Sequence, residues 1–77
     1  MTKEEFYKEI AEIMEVEDMI TESTELNNYE EFDSLVIMSL VALINSKFDK
    51  RIPGAQLKNI STPADIIALI GEDSFHK

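Results

Sequence analysis

The feature that most restricts how this chain can fold is the apolar segment from Leu35 to Ile44. At 100° per residue, several of its apolar side chains fall on one side together with Phe48. This pattern predicts an α-helix with a buried face. Asp33 is a suitable N-cap, so the predicted helix spans residues 34–48. The segment is interrupted by Ser39 and is too short to cross a bilayer. Other helices of the same chain must therefore cover it.

The two sides of this predicted helix differ in kind. The side predicted to face the core carries Ile37, Leu40, Val41, Ile44 and Phe48. The opposite side carries Leu35, Ser39, Ala42 and Ser46, with Val36 and Leu43 on its flanks. The helix is thus more apolar than one buried face requires.

Three further helices follow from local signals. Thr2 and Glu5 fit a capping box before an amphipathic segment, and Thr62 with Pro63 fits the start of another helix. The predicted helices span residues 3–15, 55–59 and 63–70, with a long loop at 16–33. Apolar residues scattered in this loop are expected to pin it to the core: Ile20, Leu26, Tyr29 and Phe32. The sequence predicts an all-α four-helix bundle, with residues 1–77 forming a single domain.

Composition narrows the class of protein. The 77 residues include no cysteine, so packed apolar side chains rather than disulfides or thiolate metal sites must stabilise the domain. The net charge is −9, and residues 1–33 carry −10, with twelve acids against two bases. Such a field disfavours nucleic acid and anionic membranes and favours basic protein partners. The N-terminus does not resemble a signal peptide, so we expect a cytoplasmic protein. We also expect it to be a monomer.

Ser34 is the residue most open to chemistry. It lies in the predicted first turn of a helix, where free backbone N–H groups and the helix dipole favour a phosphate. Serine is also common there without any special role. A catalytic role for this serine is not expected, because the only histidine, His76, is next to the last residue and no spacing matches a metal-ligand cluster. We predict neither catalytic residues nor a metal site.

Several motifs at characteristic distances extend beyond Asp33-Ser34-Leu35. They are Ile20-Thr21 in the loop, Phe48-Asp49 at the end of the helix, Ile52-Pro53 after it, and Ile60-Ser61-Thr62 before the last helix. Together they resemble the acyl carrier protein family over roughly Phe6 to Ile70. The resemblance implies a four-helix bundle in which Ser34 bears 4′-phosphopantetheine, a cofactor transferred from coenzyme A. It also implies that acyl or aminoacyl groups travel as thioesters on the arm's terminal thiol.

The resemblance assigns roles to further residues. Asp33 matches an acid that helps position the metal and substrate of the phosphopantetheinyl transferase. Leu35 matches an exposed apolar residue that partner enzymes bind. The expected partners are this transferase and the enzymes that load and transfer acyl or aminoacyl groups. Their expected docking face consists of Leu35, Val36, Ser39, Ala42 and Leu43.

The chain departs from the fatty-acid-synthesis members at two places. Their second helix carries Asp and Glu outward, whereas the matching positions here are Val36, Ser39, Asn45, Ser46 and Lys47. Glu31 replaces the usual glycine and Phe32 the usual small residue before the Asp. An aromatic residue there is typical of stand-alone carriers in specialised pathways. The sequence favours such a carrier, whose partners bind a nearly uncharged face with weak dependence on salt.

Two questions stay open at this level. The apolar interior either opens to shelter an acyl chain or forms a tight core, and the residues favour neither. The alternative function is a protein-interaction module that keeps the carrier fold while Ser34 is never modified.

Overall fold

The computed structural model describes residues 1–75, whose regular structure is entirely helical. The four α-helices are α1 Lys3–Met14, α2 Ser34–Phe48, α3 Gly54–Lys58 and α4 Pro63–Ile70. Two single 3₁₀ turns, Leu26–Asn28 and Glu72–Ser74, lie in the long loop and after α4. This architecture confirms the predicted all-α four-helix fold. His76, the histidine discussed above, lies outside the described residues.

Helix α1 begins at the predicted capping box. The Thr2 hydroxyl accepts a hydrogen bond from the Glu5 N–H at 3.1 Å, and the Thr2 N–H donates to Glu5 Oε1 at 2.8 Å. The helix ends at Met14, one residue before the predicted end, because Glu15 adopts a left-handed conformation with φ 59°. Its N–H then bonds the last carbonyls of the helix, which closes α1 as a C-cap.

Helix α4 is bounded by the residues predicted for it. Thr62 and Asp65 form a second capping box around Pro63, the first helical residue. Gly71 follows the helix with φ 103°, a region that side-chain-bearing residues rarely adopt. Helix α3 is displaced from its predicted range by one residue, because Pro53 is its N-cap and Gly54 its first helical residue.

The core lies where α1, α2, α3 and α4 meet. Its fully buried large side chains come from every helix and the loop: Phe6, Ile10, Leu26, Leu40, Ile44, Leu57, Ile66 and Ile70. The Phe6 ring packs edge-on against Phe48 at 6.2 Å between centroids and against Phe75 at 5.4 Å. This cluster ties the start of the chain to the end of α2 and to the segment after α4.

The long loop is fixed to the bundle by apolar contacts and backbone hydrogen bonds. Ile20 and Leu26 are buried, whereas Tyr29 and Phe32 are half-buried against the core. The Leu26 N–H donates to the Ser61 carbonyl at 2.7 Å, and the Ala64 N–H donates to the Glu22 carbonyl at 3.1 Å. The loop therefore leads the chain to Asp33 along an anchored route.

Candidate functional site

Ser34 is the first residue of α2, and its side chain is exposed. The preceding Asp33 is extended and caps the helix, since its Oδ1 accepts a hydrogen bond from the Val36 N–H at 3.0 Å. The Asp33 carbonyl accepts from the Ile37 N–H at 3.0 Å. The cap therefore fixes the backbone on which the Ser34 hydroxyl is presented.

The cap leaves two backbone donors at the start of α2 open. Within residues 1–75, no protein group accepts a hydrogen bond from the N–H of Ser34 or Leu35. These amides lie at the positive end of the helix dipole. A phosphate on the Ser34 oxygen is electrostatically favoured there, although Val36, the third amide of the turn, is already taken by Asp33.

A shallow depression of about 330 Å³ adjoins Ser34. The loop contributes Asn27 and Phe32 to its lining, α2 contributes Ile37, and α3 contributes Lys58. Lys58 is the one base among the lining residues, and Asp33 is the one acid. The depression thus combines an apolar surface with a cation beside the serine. These surroundings fit a phosphate followed by a flexible arm that has both polar and apolar parts.

The outward side of α2 is nearly uncharged. Leu35 is 75% exposed and Met38 69% exposed, and both Ser39 and Ala42 are also exposed. We call these four residues the outward α2 face. Met38 was not among the predicted partner-binding residues, although its spacing of three from Leu35 and four from Ala42 places it on the same side. That spacing is the signal by which the sequence could have identified it.

Two residues predicted for the docking face, Val36 and Leu43, are not exposed. Val36 is only 7% exposed, so its predicted outward position is wrong. It precedes the fully buried Leu40 by four residues, and side chains at that spacing share one side of a helix. Leu43 is half-buried at the edge of the face. Val41 and Phe48, predicted as core residues, are also only half-buried.

The described part of the chain offers neither a metal site nor a membrane-spanning helix. Among residues 1–75, no cluster of three or more His, Cys, Asp or Glu is placed to hold a metal ion. None of the helices described has the length and apolar character needed to cross a membrane. The candidate site is therefore the region around Ser34, where the helix cap, the two open amides and the depression lie together.

Comparison with known protein families concerns the region around Ser34 directly. Residues 4–70 match the family described as "Phosphopantetheine attachment site", a range that includes all four helices except Lys3. Neither the curated proteins nor the solved structures contain a match to this chain. The family match confirms the resemblance that the motifs indicated, and with it the cofactor, 4′-phosphopantetheine. The chain belongs to the phosphopantetheine attachment family, the acyl-carrier-like helical domains that bear this cofactor covalently.

Proposed function

We propose that this protein carries acyl or aminoacyl intermediates as thioesters on a 4′-phosphopantetheine arm attached to Ser34. The observation that carries the proposal is the placement of Ser34. Its exposed hydroxyl lies at a capped helix start with two open amides, within the range that matches the attachment family. A phosphodiester there would accept hydrogen bonds from these amides and experience the helix dipole.

The arm supplies what the chain lacks. With no cysteine in its 77 residues, the protein has no thiol of its own to hold a thioester. The terminal thiol of phosphopantetheine provides one, at the end of a flexible tether that starts at the surface. In this role the protein binds and presents intermediates, while its partner enzymes perform the chemistry.

Asp33 has two functions in this proposal. One carboxylate oxygen, Oδ1, caps α2 through the Val36 N–H. The side chain is otherwise exposed, so Oδ2 is open to a group outside the chain. A transferase that uses a metal ion would find a ligand there, next to the hydroxyl that it modifies. The cap itself would hold this ligand in a defined position relative to Ser34.

The outward α2 face is the proposed docking site for the enzymes that load and transfer the cargo. It offers two exposed apolar side chains, Leu35 and Met38, and no acid. Partners would therefore bind it by apolar packing over a small area rather than by charge steering. Such docking favours dedicated partners of a specialised pathway.

Loading in solution tests the proposal. The purified chain is incubated with coenzyme A and a broad-specificity phosphopantetheinyl transferase, and its intact mass is measured. We expect the chain to gain one phosphopantetheine, and Ser34→Ala to gain none. Ser46→Ala is the matched control, since Ser46 is an exposed serine of the same helix outside the outward α2 face. It should be loaded like the unaltered chain.

Two outcomes would overturn the attachment at Ser34. One is failure of the folded chain to gain any mass, which would favour an interaction module with an unmodified serine. The other is a gain that persists in Ser34→Ala, which would place the arm on a different residue.

A further inference from the structure

A groove of about 400 Å³ lies between α1 and the turn that follows it, away from every residue of α2. Tyr7 and Ala11, one helical turn apart on α1, form one wall. Met19 and Ile20 form the other, and Glu4 and Asp18 also line it. The groove shares no lining residue with the depression beside Ser34. It is therefore a separate feature of the surface.

The groove exposes apolar surface that the fold does not use. Of its wall residues, Ile20 is buried, Tyr7 and Ala11 are half-buried, and Met19 is 87% exposed. Met19 is the most exposed large apolar side chain among the described residues. A methionine adapts its shape to whatever packs against it. An apolar trough with such a side chain at its edge is typical of sites that take an apolar segment of another molecule.

Two acidic side chains, Glu4 and Asp18, line this trough, and one of them is held in place by a hydrogen bond. The Tyr29 hydroxyl donates to Asp18 Oδ2 at 2.9 Å, which fixes that carboxylate next to Met19. Burial raises the pKa of Tyr7, and the nearby carboxylate of Glu22 raises it further. Negative charge is thus present at the wall of the groove as well as at its rim.

Few positive charges offset these acids. Residues 1–33 contain two bases against twelve acids, and one of these bases, Lys3, pairs with Glu72 at 2.7 Å. The other, Lys8, lines the groove itself. With Glu4 and Asp18 in the lining and Glu22 near Tyr7, the acids at the groove outnumber the bases. A second copy of this chain, with the same net charge of −9, would be repelled from it.

We propose that this groove binds a basic amphipathic helix of a partner protein, with apolar side chains on the α1 wall and Met19 and with Lys or Arg facing the acidic rim. The match is one of shape and charge, since a helix laid along α1 buries its apolar stripe in a groove while its basic flanks meet carboxylates. The surface is distinct from the proposed attachment site at Ser34, since the groove and the depression beside the serine share no lining residue.

A synthetic peptide about four helical turns long, with leucine at helical spacing and lysine elsewhere, serves as the probe. The full chain is labelled with ¹⁵N and titrated with the peptide while its amide resonances are followed. We expect saturable shifts at Tyr7, Ala11, Met19 and Ile20. A counterpart peptide with glutamate in place of every lysine should leave these resonances unchanged.

Two sets of variants test the groove directly. Met19→Ser should weaken peptide binding by about tenfold, the loss expected when one buried methionine contact is removed. Met38→Ser is the matched control on α2, with similar exposure, and should leave the affinity unchanged. Glu4→Gln combined with Asp18→Asn should make binding less sensitive to salt. The amide oxygen that Asp18→Asn introduces still offers an acceptor to the Tyr29 hydroxyl, so the local structure is kept.

Several results would overturn the proposal. They are the absence of saturable shifts with the lysine peptide, shifts confined to the outward α2 face, equal binding of the glutamate peptide, and an unaltered affinity in Met19→Ser. Self-association of the chain through the groove, seen as broadening of the same resonances at higher protein concentration, would also do so. None of these results depends on whether Ser34 is modified.

Discussion

Substitution of Asp33 separates its contribution to stability from its contribution to modification. In the structure the side chain makes one hydrogen bond, from the Val36 N–H to Oδ1 at 3.0 Å, and this bond caps α2. Removing such a cap costs about 1 kcal/mol. Asparagine caps a helix about as well as aspartate, so Asp33→Asn should lose only a few tenths of a kcal/mol. Asp33→Ala should lose the full amount.

Thermal unfolding followed by far-UV circular dichroism measures the difference. For a domain of this size, a loss of about 1 kcal/mol lowers the Tm by about 4–8 °C. We therefore expect a drop of that size in Asp33→Ala and a much smaller one in Asp33→Asn. Urea unfolding should show the same order with an unchanged slope, because neither substitution alters the surface that unfolding exposes.

The rates at which the transferase loads these two variants should not follow the order of their stabilities. Both variants lack a carboxylate beside Ser34, and both should accept phosphopantetheine more slowly than the unaltered chain. If Asp33→Asn were as unstable as Asp33→Ala, the cap would not be the stabilising interaction. Loading of Asp33→Ala at the unaltered rate would refute the metal-positioning role of the carboxylate.

Three further predictions concern the core, acid stability and docking. Leu57→Ala should lower the free energy of unfolding by about 2–5 kcal/mol in urea titrations, since Leu57 is the fully buried side chain of the five-residue α3. A loss under about 1 kcal/mol would contradict this prediction. Hydrogen bonds from the Ser61 and Thr62 N–H groups lower the pKa of Asp65, so its contribution to stability is present at neutral pH and disappears as the pH falls through that lowered pKa. The stability of Asp65→Asn should fall less steeply than that of the unaltered chain in this acid range, and equal slopes would contradict the assignment. Turnover of the loaded chain by its partner enzymes should change little between low and moderate salt, and a steep loss would contradict docking through the uncharged outward α2 face.

Local signals in the sequence were sufficient to predict much of the fold and the position of the site. The bounds of α2 and the capping residues Thr2, Asp33 and Thr62 follow from hydrogen-bonding patterns within four residues, which neighbours along the chain determine. The family motifs around Ser34 can likewise be recognised from the order and spacing of residues along the chain. For these features the sequence alone was informative.

Features that depend on how helices pack were predicted less well. Helical periodicity orders side chains around α2 but does not say how deeply the helix is embedded, which is why the burial of Val36 was not predicted. The loop is fixed by a hydrogen bond from Leu26 to Ser61, between segments far apart in sequence that no local pattern relates. The groove along α1 exists only because that anchored loop passes beside Tyr7 and Ala11.

The most direct test of the central proposal is the covalent state of the protein isolated from its native cell. Trypsin cleaves after Lys8 and Lys47, which leaves Ser34 within a single peptide of residues 9–47. Fragmentation of that peptide in a mass spectrometer locates any added group. We predict one phosphopantetheine per chain, on Ser34, with an acyl or aminoacyl group on part of the population. A wholly unmodified peptide, or a phosphopantetheine on another residue, would contradict the proposal.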